Sequence, residues 1–170
     1  MSTNSWQVTT FSERETEELG RALGIVLDVP LVIGLTGQLG AGKTAFARGL
    51  LRGLGVQGYV RSPTFTLVHS YRGRIGVHHV DAYRLEGAAE AADIGLQELI
   101  EEHSVVVIEW ADRVRDMLPD ERMEVRIAKP DGGDRFRRDI IVTAAGTACD
   151  EVLMRWRRAV EEGFGGIVQW

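Results

Sequence analysis

Eight consecutive residues, Gly37, Gln38, Leu39, Gly40, Ala41, Gly42, Lys43 and Thr44, have the spacing G-x-x-x-x-G-K-[ST]. An apolar run, "LVIGLT", precedes them and a helical pattern beginning "KTAF" follows, which is the strand-loop-helix setting a phosphate-binding loop requires. Glycines let successive backbone N–H groups turn inward toward phosphate oxygens, and the helix N-terminus through Ala45 adds partial positive charge. Lys43 is expected to reach the β- and γ-phosphates, and the Thr44 hydroxyl to ligate Mg2+. Arginine outnumbers lysine throughout the chain, yet this position is Lys, where a compact ammonium fits and a planar guanidinium does not. The Asn-Lys-x-Asp pattern of many guanine readers is absent, the nearest stretch being Ala128-Lys-Pro-Asp131, so ATP is expected rather than GTP.

A phosphate loop needs a carboxylate from a neighbouring strand to hold Mg2+, directly or through water, and to orient an attacking water. Asp81 after "GVHHV" and Glu109 after "SVVVI" each stand where ligands bind in open α/β sheets, at a strand's carboxyl end. Either can ligate the metal on this pattern, and the fully apolar run before Glu109 makes it the better match. Ser62, Thr64 and Thr66, in "SPTFTLV", fall in the connection after the loop helix, where such proteins place a segment that senses the γ-phosphate and Mg2+. Ser62 and Thr64 are expected to be its sensors, while Thr66 serves equally well as a β-branched residue opening a strand. His78 and His79 alternate to opposite faces of a strand, so at most one joins Asp81, and zinc is rejected for want of further ligands. Trp110 beside Glu109 fits either a nucleotide contact or a ring closing the core, and Arg84 fits either a transition-state charge or an ordinary surface pair.

The elements that must position these groups are legible in outline. Ser12 and Glu15 form a capping-box pattern ahead of an amphipathic helix whose end is expected near Gly24. "LVIGLTG" and "SVVVIEW", apolar throughout, read as buried strands, and "KTAFARGLLRGLG" as a helix stopping at Gly53 or Gly55. "FTLVHSY" and "GVHHVDAY" across "RGRIG", and "MEVRIAK" and "FRRDIIVTA" across "PDGGD", read as hairpins. Residues 88–103 read as helical at least from Gly95, "ADRVRDML" as a short helix closed by Pro119, and a C-terminal helix is expected over about 147–163. This alternation predicts an α/β class: a three-layer P-loop fold with a mixed, mostly parallel sheet and β-hairpin additions, as one domain over residues 1–170.

A chain of 170 residues, 44% of them hydrophobic, is long enough for one good core. The single cysteine, Cys149, precludes an internal disulfide, and the polar start "MSTNSWQVTT" has no signal-peptide pattern, so a cytoplasmic protein with no membrane span is expected. A formal net charge of −5 argues against nucleic-acid binding driven by phosphate contacts. The charge is unevenly placed. Residues 31–84 carry seven basic residues against the one acid Asp81, whereas residues 85–110 carry seven acids and no Lys or Arg. The basic third suits a polyphosphate, and the acidic stretch suits solvent or a basic partner.

Taken in order and at this spacing, "GQLGAGKTAF", "SPTFTLV", "HVDAYRL" and "IEW" resemble the TsaE family of bacterial P-loop ATPases required for the threonylcarbamoyladenosine modification of tRNA. The resemblance runs from the Ser12 helix to about Ile127. It departs at Gln38, where the family often has Asp, and at Ala82, where it has a larger apolar residue. It implies an ATPase, weak alone, that binds and is stimulated by the TsaD–TsaB pair, touches tRNA only through that complex, and is monomeric in isolation. By position it implies that Lys43 and Thr44 hold phosphate and Mg2+, that Asp81 and Glu109 are the functional acids, that Trp110 belongs to the family's Glu-Trp pair, and that the Ser62–Thr66 segment responds to nucleotide. Two other functions fit the loop alone, a small-molecule kinase and a nucleotide-gated binding module whose ATP need not be hydrolysed.

Overall fold

In a computed structural model of the protein, residues 3–58, 60, 66–86, 88–132 and 134–163 are described. Seven strands form one mixed sheet: β1 Thr3–Thr10, β2 Val32–Thr36, β3 Val68–Arg72, β4 Gly76–Asp81, β5 Val105–Glu109, β6 Arg122–Ala128 and β7 Arg138–Ala145. Their spatial order is β1-β7-β6-β2-β5-β4-β3. The inner four, β6, β2, β5 and β4, are parallel, while the β3–β4, β6–β7 and β1–β7 pairs are antiparallel. Both expected hairpins are present. All four parallel strands therefore end at one edge of the sheet, and the loops that follow β2, β4 and β5 meet there.

Helices α1 Glu13–Val26, α2 Lys43–Gly53 and α5 Thr147–Gly163 pack on one sheet face. Helices α3 Ala88–Asp93 and α4 Leu96–Glu101, with a 3-10 helix Ala111–Met117, pack on the other over β2, β5 and β4. β2 and β5 are covered on both faces, which accounts for the apolar runs Val32–Leu35 and Val105–Ile108, and β4 is buried on both faces too but carries His78 and His79.

The Ser12 cap forms as expected, Ser12 Oγ accepting from Glu15 N at 3.1 Å, while Glu15 Oε2 reaches one residue past the cap to accept from Phe11 N at 2.7 Å. Helix α1 ends at Val26, near Gly24 as expected, and Gly24 itself serves packing: a Cβ there would lie 2.2 Å from Leu50 O in α2. Two local expectations are corrected. Gly95, with φ +69°, divides the expected helix 88–103 into α3 and α4. The polar start, given no strand in the sequence reading, contributes β1, whose Trp6 and Val8 turn into the core while its neighbours face outward.

Helices α1 and α2 approach unusually closely through four glycines, two on each. A Cβ at Gly20 would meet Phe46 O at 2.2 Å, at Gly49 it would meet Glu17 O at 1.8 Å, and at Gly53 Arg21 O at 2.2 Å. Only hydrogen on the Cα leaves room for backbone against backbone. This seam fixes α2, the helix that opens from the phosphate loop, against the rest of the core.

Candidate functional site

The loop after β2 folds back over the start of α2 through positive φ at Gly37 (+140°), Gly40 (+74°) and Gly42 (+113°), a conformation glycine adopts without the usual steric penalty. A side chain at Gly37 would also strike Ile127 O at 2.1 Å. The β6–β7 hairpin holds the loop from outside: Arg138 Nε donates to Ala41 O at 2.8 Å and Gln38 Nε2 to Lys129 O at 3.2 Å. Leu39 at the tip is exposed, Ala41 is buried, and Ala45 continues the first turn of α2.

Lys43 is 4% exposed and folds back on its own loop, Nζ donating to Gly37 O at 2.6 Å and Gln38 O at 3.0 Å. Its ammonium also lies 3.7 Å from the centre of the Trp110 ring. Burial pushes the Lys43 pKa below the ordinary lysine value, and the carboxylates of Glu109, Asp112 and Asp81 pull the other way. Trp110 reaches this position through a left-handed backbone, φ +60° and ψ +42°, which is costly for a non-glycine residue and is held by the packed strand end before it and the 3-10 helix after it. Its ring also packs on Tyr83, centroids 4.8 Å apart. The ring thus faces the loop lysine as well as the core.

The two acids stand side by side, since Asp81 and Glu109 are register partners at the ends of β4 and β5. Both are buried, and they differ in their bonds. Glu109 Oε2 accepts from Thr44 Oγ1 at 2.8 Å, and its Oε1 pairs with His79 Nε2 at 2.9 Å. Asp81 Oδ1 accepts from Tyr83 N at 3.0 Å, and its other oxygen has no hydrogen-bond partner among the described residues. His79 was set aside in the sequence reading as a non-ligand of zinc. Strand alternation placed it on Asp81's face, but its partner is Glu109, which lies on the next strand and is invisible to local spacing.

Phosphate loop, acids and Trp110 line a cleft of about 750 Å3, which also takes in Ser12, Arg14 and Thr16 from the start of α1, Tyr83, and Phe136 and Arg138 from the β6–β7 side. The cleft is the right size for a nucleotide. Arg84 is exposed and outside that lining. Thr66 is exposed ahead of β3, whose first residue is Val68, so it does not open the strand. Ser62 and Thr64 lie outside the described residues. No group of three or more His, Cys, Asp or Glu side chains that could hold a metal by itself occurs among the described residues. The oxygens of Thr44, Glu109 and Asp81 at one cleft wall suit a hard cation completed by phosphate oxygens and water, as Mg2+ is usually bound. The donor set fits that ion and does not fit zinc. No helix among the described residues is long and apolar enough to cross a membrane.

Comparison with known proteins bears on the family and the fold. The family profile described as "Threonylcarbamoyl adenosine biosynthesis protein TsaE" matches residues 10–140. Proteins named "tRNA threonylcarbamoyladenosine biosynthesis protein TsaE" are similar to the chain over most of their length. The one from Treponema pallidum is 40% identical over 124 residues, covering 73% of this chain and 92% of that protein. The one from Bacillus subtilis is 36% identical over 148 residues, covering 84% and 90%. The one from Streptomyces coelicolor is 42% identical over 135 residues, covering 76% and 90%. The crystal structure of Bacillus subtilis YdiB superposes with a TM-score of 0.78 at 29% identity, covering 93% of this chain and 97% of that one.

Proposed function

The chain belongs to the TsaE family, a component of the pathway that makes threonylcarbamoyladenosine in tRNA, and from that premise we propose that it is the pathway's ATPase subunit. It binds ATP with Mg2+ in the cleft above α2 and hydrolyses it to drive or reset a TsaD–TsaB complex. One observation carries the enzymatic part: the hydroxyl of the phosphate-loop Thr44 is joined at 2.8 Å to Glu109, the acid that ends the apolar strand β5. That contact puts a strand-end carboxylate beside the loop residue expected at the metal and supports hydrolysis over a purely structural nucleotide.

The chain's groups divide the work as follows. Backbone N–H groups from Gly37 to Thr44 cradle the phosphates, and Lys43 exchanges the carbonyls of Gly37 and Gln38 for phosphate oxygens. Mg2+, when bound beside Thr44 and Glu109, supplies charge neutralisation on the β- and γ-phosphates. Asp81, one oxygen of which has no hydrogen-bond partner among the described residues, is the better placed acid to orient a water in line with the γ-phosphorus. The bond from that phosphorus to the leaving oxygen breaks as the water oxygen bonds to it, and the water's proton passes to solvent or to phosphate. Among the described residues, the hydrogen bonds given for Thr44, Glu109 and Asp81 involve a hydroxyl, a histidine and a backbone N–H, so intrinsic turnover is expected to be slow, with a partner supplying further charge.

Phosphate release from ATP by the purified chain tests the reading. Slow release is expected from the wild type and none from Lys43→Ala; Glu109→Gln is expected to keep binding nucleotide while hydrolysis falls about a hundredfold. Transfer of the γ-phosphate to a small acceptor in place of water would replace the reading with a kinase. Full pathway activity from a non-hydrolysing Glu109→Gln would replace it with a nucleotide-gated binding module.

A further inference from the structure

His79 is a buried side chain in contact with the site that the proposed mechanism does not use. Its side chain is 1% exposed, on the sheet face under α2. Nε2 pairs with Glu109 Oε1 at 2.9 Å, while Nδ1 is buried with no hydrogen-bond partner among the described residues. A carboxylate oxygen only accepts, so Nε2 must carry a hydrogen. An N–H at Nδ1 would be a buried donor left unpaired, which is costlier than an unused lone pair, so the network selects the Nε2–H tautomer. Among the described residues, this buried histidine spends its hydrogen-bonding capacity on the site carboxylate.

Glu109 is thereby held from both sides. With His79 on Oε1 and Thr44 on Oε2, the carboxylate plane has one orientation, and Oε2 is the oxygen presented to the cleft. We propose that His79 is a positioning residue of this site, fixing the Glu109 carboxylate so that the Thr44–Glu109 pair is set for the cation accompanying the nucleotide. The inference rests on the assignment of Thr44 and Glu109 to the metal side of the site.

His78 provides an internal contrast on the same strand. It points to the opposite sheet face, where Nδ1 meets Ser70 Oγ at 2.8 Å and Nε2 meets the largely exposed Glu102 at 2.9 Å. Both its nitrogens are partnered, and none of its contacts reaches the cleft.

The test compares His79→Ala, His79→Gln and His78→Ala by ATP affinity with Mg2+ and with EDTA, and by steady-state hydrolysis. Glutamine places an amide N–H close to where Nε2 stands. His79→Ala is expected to bind metal-free ATP within about twofold of wild type but to lose about tenfold of the affinity gained from Mg2+, with kcat falling about tenfold and the KM for ATP with Mg2+ rising in step with the lost affinity. His79→Gln is expected to recover most of both losses, and His78→Ala to lose neither. In 15N-edited spectra of the wild-type protein, His79 should show the Nε2–H tautomer. Retention of the Mg2+ gain and of kcat by His79→Ala would overturn the proposal. Loss of metal-free affinity and thermal stability in His79→Ala and His79→Gln alike would overturn it too, leaving only a core role. A wild type that hydrolyses no ATP under any condition would sink the ATPase reading instead, and His79 would still be judged by the Mg2+ gain and the tautomer.

Discussion

Lys43 is held in a resting position by two loop carbonyls and the Trp110 ring, so nucleotide binding must pull the ammonium away from the indole. The intrinsic fluorescence should therefore change as ATP or ADP is added, and a Trp110→Phe variant that binds nucleotide normally should lose the change. Lys43→Arg should bind ATP at least about tenfold more weakly than wild type, because a planar guanidinium cannot occupy the ammonium's place. At the far side of the molecule, burial raises the Cys149 thiol to about 11. The nearby carboxylates of Glu121 and Asp150 add to that shift and a backbone hydrogen bond from Ala145 opposes it. The thiol stays protonated at pH 8, so a thiol reagent should modify the native protein far more slowly than the urea-unfolded chain, and equal rates would refute its burial. Spacing alone was enough to place the loop between β2 and α2 and the two acids at strand ends, because a glycine-rich loop and a strand-end carboxylate are local patterns. It was not enough to pair His79 with Glu109 or Lys43 with Trp110, since those contacts join strands and loops distant in sequence.

The α1–α2 pair is where element-scale packing bears on the site. Gly24→Ala adds a methyl that would help an isolated helix by up to about 1 kcal/mol. In this protein the methyl meets Leu50 O and the backbone of Gly53, so the variant should be less stable by about 1–3 kcal/mol, read as a lower urea midpoint at unchanged slope. An unchanged or raised midpoint would show that the seam tolerates a wider separation. The sequence placed the helix end near Gly24 but did not show the glycine's packing role, because a glycine near a helix end carries the same local mark whether it terminates the helix or admits a neighbour. It did not show β1 for a related reason: of the inward-facing Trp6, Val8 and Thr10 only two are apolar, and the strand exists by pairing with β7 at the opposite end of the chain. The inner strands β2 and β5 were legible because double-sided burial writes itself as an uninterrupted apolar run.

At the scale of the whole molecule, the C-terminal helix lies beyond the family match over residues 10–140 yet is built into the core. Trp156 is fully buried, donates from Nε1 to Leu19 O at 3.1 Å, and packs edge-on against Trp6 and Phe46 at 5.1 and 5.8 Å. Trp156→Ala should cost about 3–5 kcal/mol of stability, which chemical denaturation would measure. Its apolar face was readable from helical spacing, but the surface it covers was not, because α1 and β1 come from the other terminus. Across the sheet, Glu86, Glu90, Asp93, Glu98, Glu101 and Glu102 are exposed on and beside α3 and α4, which keeps the acidic stretch as the surface we propose for a basic partner. Charge reversal there should weaken assembly and leave nucleotide binding intact. The most direct measurement is ATP hydrolysis by the purified chain, alone and with the TsaD and TsaB proteins of the same organism, with Lys43→Ala as the blank. A slow basal rate raised severalfold by the pair is the predicted result, and a rate indifferent to both proteins, or equal in Lys43→Ala, would contradict it.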